Sequence, residues 1–149
     1  MVSKIALLDV NVLIALLDNK HKHHALATSW LFEWLIAGNR WASCPITQNG
    51  CMRILSLPSY ENGFKILDIK EKLTTFINKS HHVFIPDNIS LLQDELINWQ
   101  YIQGSKQLTD AYLLALAKYN HAVFVLLDNR IATHTAVGIG EQDFISLLN

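Results

Sequence analysis

Two short apolar runs, each followed by an aspartate, constrain the fold of this chain most strongly. Residues 5–8 and 122–127 are apolar throughout, with no polar alternation, and both runs are too short for a typical helix. Runs of this kind are typical of strands that are buried on both faces of a parallel sheet. Asp9 follows the first run and Asp128 follows the second. Ligands of such sheets bind beyond the carboxyl ends of the strands, so both aspartates stand where a functional site is expected.

Helical and strand patterns alternate along the rest of the 149-residue chain. Further strands are predicted at residues 41–43 and 82–85 and, as an edge strand, near 138–140. Helices are predicted at residues 12–17, 24 to about 38, 45–55, 66–78, 90–103, 110–119 and 144–148. This alternation predicts a single α/β domain over residues 1–149, with a mostly parallel sheet and helices on both of its faces.

Composition indicates what kind of fold, partner and cellular compartment to expect for the protein. Half of the residues are hydrophobic and the net charge is −1, so a compact fold is expected and a broad basic field for nucleic acid is excluded. No apolar run approaches the roughly 20 residues that span a bilayer, and no secretory leader is apparent. Cys44 and Cys51 are two helical turns apart, too far to pair on one helix. We therefore expect reduced thiols, a cytoplasmic location and no membrane contact.

A third aspartate completes a candidate acidic cluster. Asp110 lies at the start of the predicted helix 110–119, with Thr109 as its expected N-cap. If the element ends that carry Asp9, Asp110 and Asp128 share one edge of the sheet, their carboxylates converge and repel one another. A divalent cation with oxygen ligands, Mg²⁺ or alternatively Mn²⁺, would compensate this charge. Such an ion polarises phosphoryl oxygens and lowers the pKa of bound water, as hydrolysis of a phosphodiester requires.

Each of these residues also has an ordinary structural interpretation. Asp9 or Asn11 would serve as the N-cap of the first helix, Asp110 would stabilise a helix dipole, and Asp128 would belong to a turn. A phosphatase with an aspartyl nucleophile is a further alternative. That chemistry favours an acid two residues after the nucleophile, and Asn11 is an amide.

Several motifs, which follow one another along the chain in the family's order, resemble the VapC branch of the PIN-domain nucleases. The most specific are Leu-Asp-Val-Asn at residues 8–11 and Leu-Thr-Asp-Ala-Tyr at residues 108–112. The other segments that carry the resemblance are residues 12–17, 21–24, 43–50, Arg53, 113–117 and Asp128. The resemblance implies a three-layer α/β/α PIN-like fold and a Mg²⁺-dependent endoribonuclease. It also implies the toxin of a toxin–antitoxin pair, usually a homodimer, that a cognate antitoxin silences by binding over the active site.

The resemblance also implies roles for individual residues. Asp9 and Asp110 match the metal-binding aspartates of the family, and Asp128 matches the carboxylate that helps to position metal or water. We therefore predict that these three residues are both catalytic and metal-binding. With water as the nucleophile, the RNA products would carry 5′-phosphate and 3′-hydroxyl ends.

One position departs from the family pattern. Many relatives carry a glutamate on the third helix, whereas residues 47–50 read Thr-Gln-Asn-Gly, which places Asn49 at the corresponding site. An amide offers an oxygen but neither a charge nor a base. Asn49 therefore motivates an alternative, a catalytically weakened domain that binds RNA or its antitoxin. We expect Asn11, Asn49 and Arg130 to contact the substrate, and we consider Lys20, Arg53 and Lys106 as further phosphate contacts.

Overall fold

The centre of the protein is a five-stranded parallel sheet. A computed structural model describes residues 2–128 and 132–148. Its strands are β1 (Ile5–Leu8), β2 (Arg40–Ser43), β3 (His82–Phe84), β4 (Val123–Leu126) and β5 (Phe144–Ser146). They pair in the order β3-β2-β1-β4-β5, and every pair is parallel. The predicted parallel sheet is thus confirmed, and β1 lies in its middle.

Five α-helices connect and cover the strands. They are α1 (Val10–Leu17), α2 (His24–Ile36), α3 (Pro45–Leu55), α4 (Ile66–Lys79) and α5 (Ser105–Tyr119). The predicted positions of the first four agree with the structure to within two residues at nearly every end. Among the described residues, no helix is both long and apolar enough to cross a membrane.

Three predictions of local structure are wrong. Residues 90–103 form turns and one short 3₁₀ turn, Trp99–Tyr101, instead of a helix. Gly104 is the N-cap of α5, which begins at Ser105 rather than at residue 110. Residues 144–146 form the edge strand β5, which was predicted near 138–140, and so they do not begin a terminal helix.

The irregular segment has a physical explanation. The Ser90 amide donates to Oε1 of Gln93 at 2.6 Å, and the Leu92 amide donates to Oγ of Ser90 at 3.0 Å. The Asn98 amide donates to the Thr135 carbonyl at 2.9 Å. Side chains and a distant backbone segment therefore satisfy groups that a helix would pair within itself.

Alternating side chains of the strands divide the core into two layers. Ala6 and Leu8 of β1 pack on one face of the sheet with buried residues of α1, α2, α3 and α4. Leu7 packs on the other face, where seven consecutive residues of α5, 111–117, are buried. This arrangement confirms the three-layer α/β/α architecture and explains why the strand sequences lack polar alternation. Cys44 and Cys51 are both buried and free, as predicted.

A polar network joins β2, β3 and α3 beneath the sheet edge. The Ser43 amide donates to Nε2 of His82 at 3.1 Å, and Oγ of Ser43 lies 2.6 Å from the same nitrogen. Gln48 donates to Oγ of Ser43 at 3.0 Å. Because Nε2 accepts from an amide, the imidazole must be unprotonated there. Burial lowers the pKa of His82 to about 4.

This network predicts an acid-sensitive step in stability. The unfolded chain protonates His82 near its ordinary pKa of about 6.5, whereas the folded chain resists protonation until about pH 4. The free energy of unfolding should therefore fall as pH decreases through this window. Thermal melts should show a shallower pH dependence in His82→Gln than in the parent. The matched control His121→Asn should keep the parental dependence, and an unchanged slope in His82→Gln would contradict the assignment.

Candidate active site

The central strand pair places Asp9 at the carboxyl edge of the sheet. β1 and β4 are neighbours, and the Asp9 amide donates to the Val125 carbonyl of β4 at 2.9 Å. Oδ1 of Asp9 also accepts from the Val10 amide at 2.8 Å, so Asp9 is the N-cap of α1. The capping interpretation is therefore confirmed for Asp9, while Asn11 lies inside the helix. One carboxylate oxygen serves the helix, and the side chain still borders an open cavity.

Helix α5 brings Asp110 to the same place. A cavity of about 600 Å³ is lined by Asp9 and Asp110 together, although a hundred residues separate them in sequence. Because α5 begins at Ser105, Asp110 lies in its second turn, so the predicted first-turn position is wrong. The convergence of Asp9 and Asp110 at one edge of the sheet agrees with the sequence analysis.

The pKa values of both carboxylates, Asp9 and Asp110, are raised above the ordinary value for aspartate. Burial raises the pKa of Asp9 to about 7, with the charges of Asp110 and Asp128 adding to the effect and the Val10 hydrogen bond opposing it. Burial also raises the pKa of Asp110, and the charge of Asp128 raises it further. Ionising both carboxylates is therefore costly, chiefly because they are buried and in part because neighbouring carboxylates repel them.

Asp128 is absent from the cavity lining, but it is close enough for its charge to act on the other two aspartates. It lies two residues beyond β4, its side chain is exposed, and its backbone carbonyl accepts a hydrogen bond from Oγ of Ser146. Its catalytic and metal-binding roles stay predictions.

Amide and cationic side chains complete the wall of the cavity. Asn11 and Asn49 line it, as do Arg53 and Lys106. Four of the residues considered for substrate contact therefore surround the carboxylates, whereas Lys20 does not line the cavity. Arg130 lies outside the described residues.

A glycine and a threonine also shape the site, and the sequence pattern does not indicate either role. A Cβ on Gly50 would lie 2.9 Å from Cγ2 of Val10, so Gly50 lets α3 approach α1 closely beside Asp9. Thr109, expected as an N-cap, lies inside α5 and lines the cavity. The only sequence feature that marks Thr109 is its position directly before Asp110. That position does not distinguish an N-cap residue from a residue that lines the cavity.

The donor set fits a magnesium ion held by few protein ligands. Within residues 2–128 and 132–148, no group of three or more His, Cys, Asp and Glu side chains is arranged to hold one metal ion. Magnesium, however, usually keeps several waters and binds through one or two carboxylates. The Asp9 and Asp110 pair, with its raised pKa values and neighbouring amide oxygens, meets that requirement.

The chain is similar to several ribonucleases that carry the name VapC. Ribonuclease VapC44 of Mycobacterium tuberculosis is 39% identical over 142 residues, which cover 95% of this chain and 99% of the relative. Ribonuclease VapC38 of the same organism is 35% identical over 129 residues, 86% of this chain and 88% of the relative. Ribonuclease VapC39 is 34% identical over 137 residues, 91% of this chain and 97% of the relative. No family model matches the chain.

The carboxylate pair predicts stabilisation by magnesium. An ion that binds only the folded state raises stability, by about 1.4 kcal/mol at roughly ten times its dissociation constant, and it also relieves the repulsion between Asp9 and Asp110. A shift of that size raises the Tm of a chain of this length by about 3–6 °C. Differential scanning fluorimetry should show the rise in the parent and lose it in Asp9→Asn, where the amide retains an acceptor for the Val10 cap. Equal shifts in parent and variant, or no shift beyond that of NaCl at matched ionic strength, would count against the site.

Proposed function

Since the chain belongs to the VapC family of ribonucleases, we propose that it is a Mg²⁺-dependent endoribonuclease and the toxin of a toxin–antitoxin pair. The observation that carries the proposal is the convergence of Asp9 and Asp110 in one open cavity at the carboxyl edge of the sheet. Their raised pKa values indicate a site suited to a cation, and the cationic side chains nearby suit a polyanionic substrate.

Different residues of the cavity would bind the ion and the phosphate during hydrolysis. Asp9 and Asp110 would hold the ion in the cavity that they line together. Magnesium or manganese, when bound, supplies polarisation of the phosphoryl group and an acidified water. Arg53 and Lys106 would bind phosphate oxygens and hold the scissile group against the carboxylates.

Polar residues would then orient the reactants. Asp128, whose charge reaches both other aspartates, would accept a hydrogen bond from the attacking water and align it with the phosphorus. Asn11 and Asn49 would bind substrate oxygens through their amide groups. With water as nucleophile and the 3′ oxygen as leaving group, the products carry 5′-phosphate and 3′-hydroxyl ends. The 2′-hydroxyl takes no part in this reaction.

As a toxin, the protein would have a partner antitoxin and a defined oligomeric state and location. A cognate antitoxin would bind over the active site and block it, and the protein would act as a homodimer in the cytoplasm. The names of the relatives support the ribonuclease assignment, and the two free, buried cysteines are compatible with a reducing compartment.

Asn49 favours a second candidate function. It lies in the cavity wall with Asp9 and Asp110, where a charged residue would strengthen metal binding. If catalysis is weak, the domain would act by binding RNA or antitoxin. Growth inhibition that survives Asp110→Asn would favour this alternative.

Cleavage by the purified protein tests the proposed function. With Mg²⁺, the parent freed of any partner should cut a pool of structured RNA, and EDTA should stop the reaction. Asp110→Asn should abolish cleavage without unfolding the protein, because it removes a charge from the ion site and keeps the shape of the side chain. The matched control Asp94→Asn removes an exposed carboxylate elsewhere and should cut as the parent does. Full activity of Asp110→Asn would refute the assignment of the site.

Restoring an acidic residue at position 49 should strengthen metal dependence. Asn49→Glu adds a charge to the cavity wall, so the Mg²⁺ concentration for half-maximal cleavage should fall by about tenfold, equivalent to roughly 1.4 kcal/mol. A magnesium titration of the cleavage rate measures this. Asn78→Glu adds the same charge on the exposed surface of α4 and should leave the titration unchanged. A matching response in both variants would show a general charge effect instead.

A further inference from the structure

A second cavity adjoins the candidate active site. It encloses about 360 Å³ and shares two wall residues, Ile46 and Thr109, with the cavity that holds Asp9 and Asp110. Thr109 directly precedes Asp110 on α5. The two cavities are therefore adjacent, so one ligand can contact the walls of both.

The walls of the second cavity are mainly apolar. Ile89 and Leu91 contribute from the irregular segment after β3, and Leu108 and Tyr112 contribute from α5. Arg53 and Lys106, which suit phosphate, line the first cavity and not the second. The first cavity is therefore lined by charged side chains, and the second is mainly apolar.

Hydrogen bonds fix these walls in place. The hydroxyl of Tyr112 donates to Oδ1 of Asp87 at 2.9 Å, and the ring is almost fully buried. The side chains of Asn88 and Asn120 donate to each other at 2.9 and 3.0 Å, which ties the segment to the end of α5. A cavity held in this way is formed before a ligand arrives.

Two hydroxyl groups give the cavity limited polarity. Oγ of Ser90 accepts from the Leu92 amide, which leaves its hydrogen available to a ligand. The Thr109 hydroxyl has no hydrogen-bond partner among residues 2–128 and 132–148. A ligand with flat apolar faces and a polar edge meets these conditions.

We propose that the second cavity binds one unpaired nucleobase of the RNA, next to the phosphate that lies at Asp9 and Asp110. This inference rests on the proposed function and specifies part of its substrate. A nucleic acid strand places a planar base directly beside each charged phosphate, which matches the paired cavities. The base must be unpaired, because bases within a duplex stay stacked and inaccessible to such a cavity.

Methyl NMR on the full-length Asp110→Asn protein tests the subsite without cleavage. The probes are the dinucleotides ApA, CpC, GpG and UpU, with ribose 5-phosphate as the comparator that lacks a base. At least one dinucleotide should shift the methyl signals of Ile89, Leu91 and Leu108. Ribose 5-phosphate should leave them in place, and the methyl signals of Leu31 and Ile69 in the opposite core layer should not move with any probe.

Two neighbouring substitutions supply the matched comparison. Ser90→Trp places a large ring in the cavity and should weaken dinucleotide binding by about fivefold or more, the lower range for loss of one stacked base. Leu92→Trp adds the same ring two residues away at a side chain that is 83% exposed and outside the cavity, so binding should stay parental. If Ser90→Trp does not fold, Leu108→Trp fills the cavity from α5 instead.

The outcomes separate the subsite from the proposed function. Failure of every dinucleotide to shift the three methyl groups, equal shifts with ribose 5-phosphate, or unchanged binding after cavity filling would overturn the subsite, whatever the cleavage assay shows. Absence of RNA cleavage by the parent in Mg²⁺, together with base-dependent shifts, would instead refute the nuclease and retain the nucleotide site.

Discussion

Parallel pairing of β1 with β4 is the constraint on which the rest of the structure depends. It sets Asp9 beside the end of β4, and the crossover through α5 then brings Asp110 to the same edge. The pairing requires apolar cover on both faces of the sheet, which α1–α4 provide on one side and α5 on the other. Fold and site therefore follow from the same arrangement of strands.

The arrangement carries an electrostatic cost that a bound cation would offset. Asp9 and Asp110 are raised in pKa by burial and by neighbouring carboxylates, yet Asp9 also stabilises the first turn of α1. Capping and metal binding are compatible, because a carboxylate has several acceptor positions. Gly50 contributes by letting α3 approach α1, which places Asn49 on the cavity wall.

The sequence predicts four of the five strands, whereas the edge strand β5 was misplaced. It also predicts that Asp9 and Asp110 meet at one edge of the sheet, because both follow recognisable local patterns. The runs ending at Asp9 and Asp128 read as buried strands without alternation, and the motif around Asp110 places it in a helix. The segment 90–103 escapes prediction, because its apolar spacing suggests a helix while Ser90, Gln93 and distant Thr135 satisfy its backbone groups. The second cavity depends on that segment, so no sequence pattern indicates it.

If Asp9 and Asp110 together hold the divalent ion of a nuclease, that ion should contact both carboxylates. Anomalous diffraction from crystals of the full-length protein grown with Mn²⁺ tests it most directly. We expect an anomalous peak in contact with carboxylate oxygens of both Asp9 and Asp110, and loss of that peak in Asp110→Asn. A peak bound elsewhere, or a peak that persists unchanged in Asp110→Asn, would contradict it.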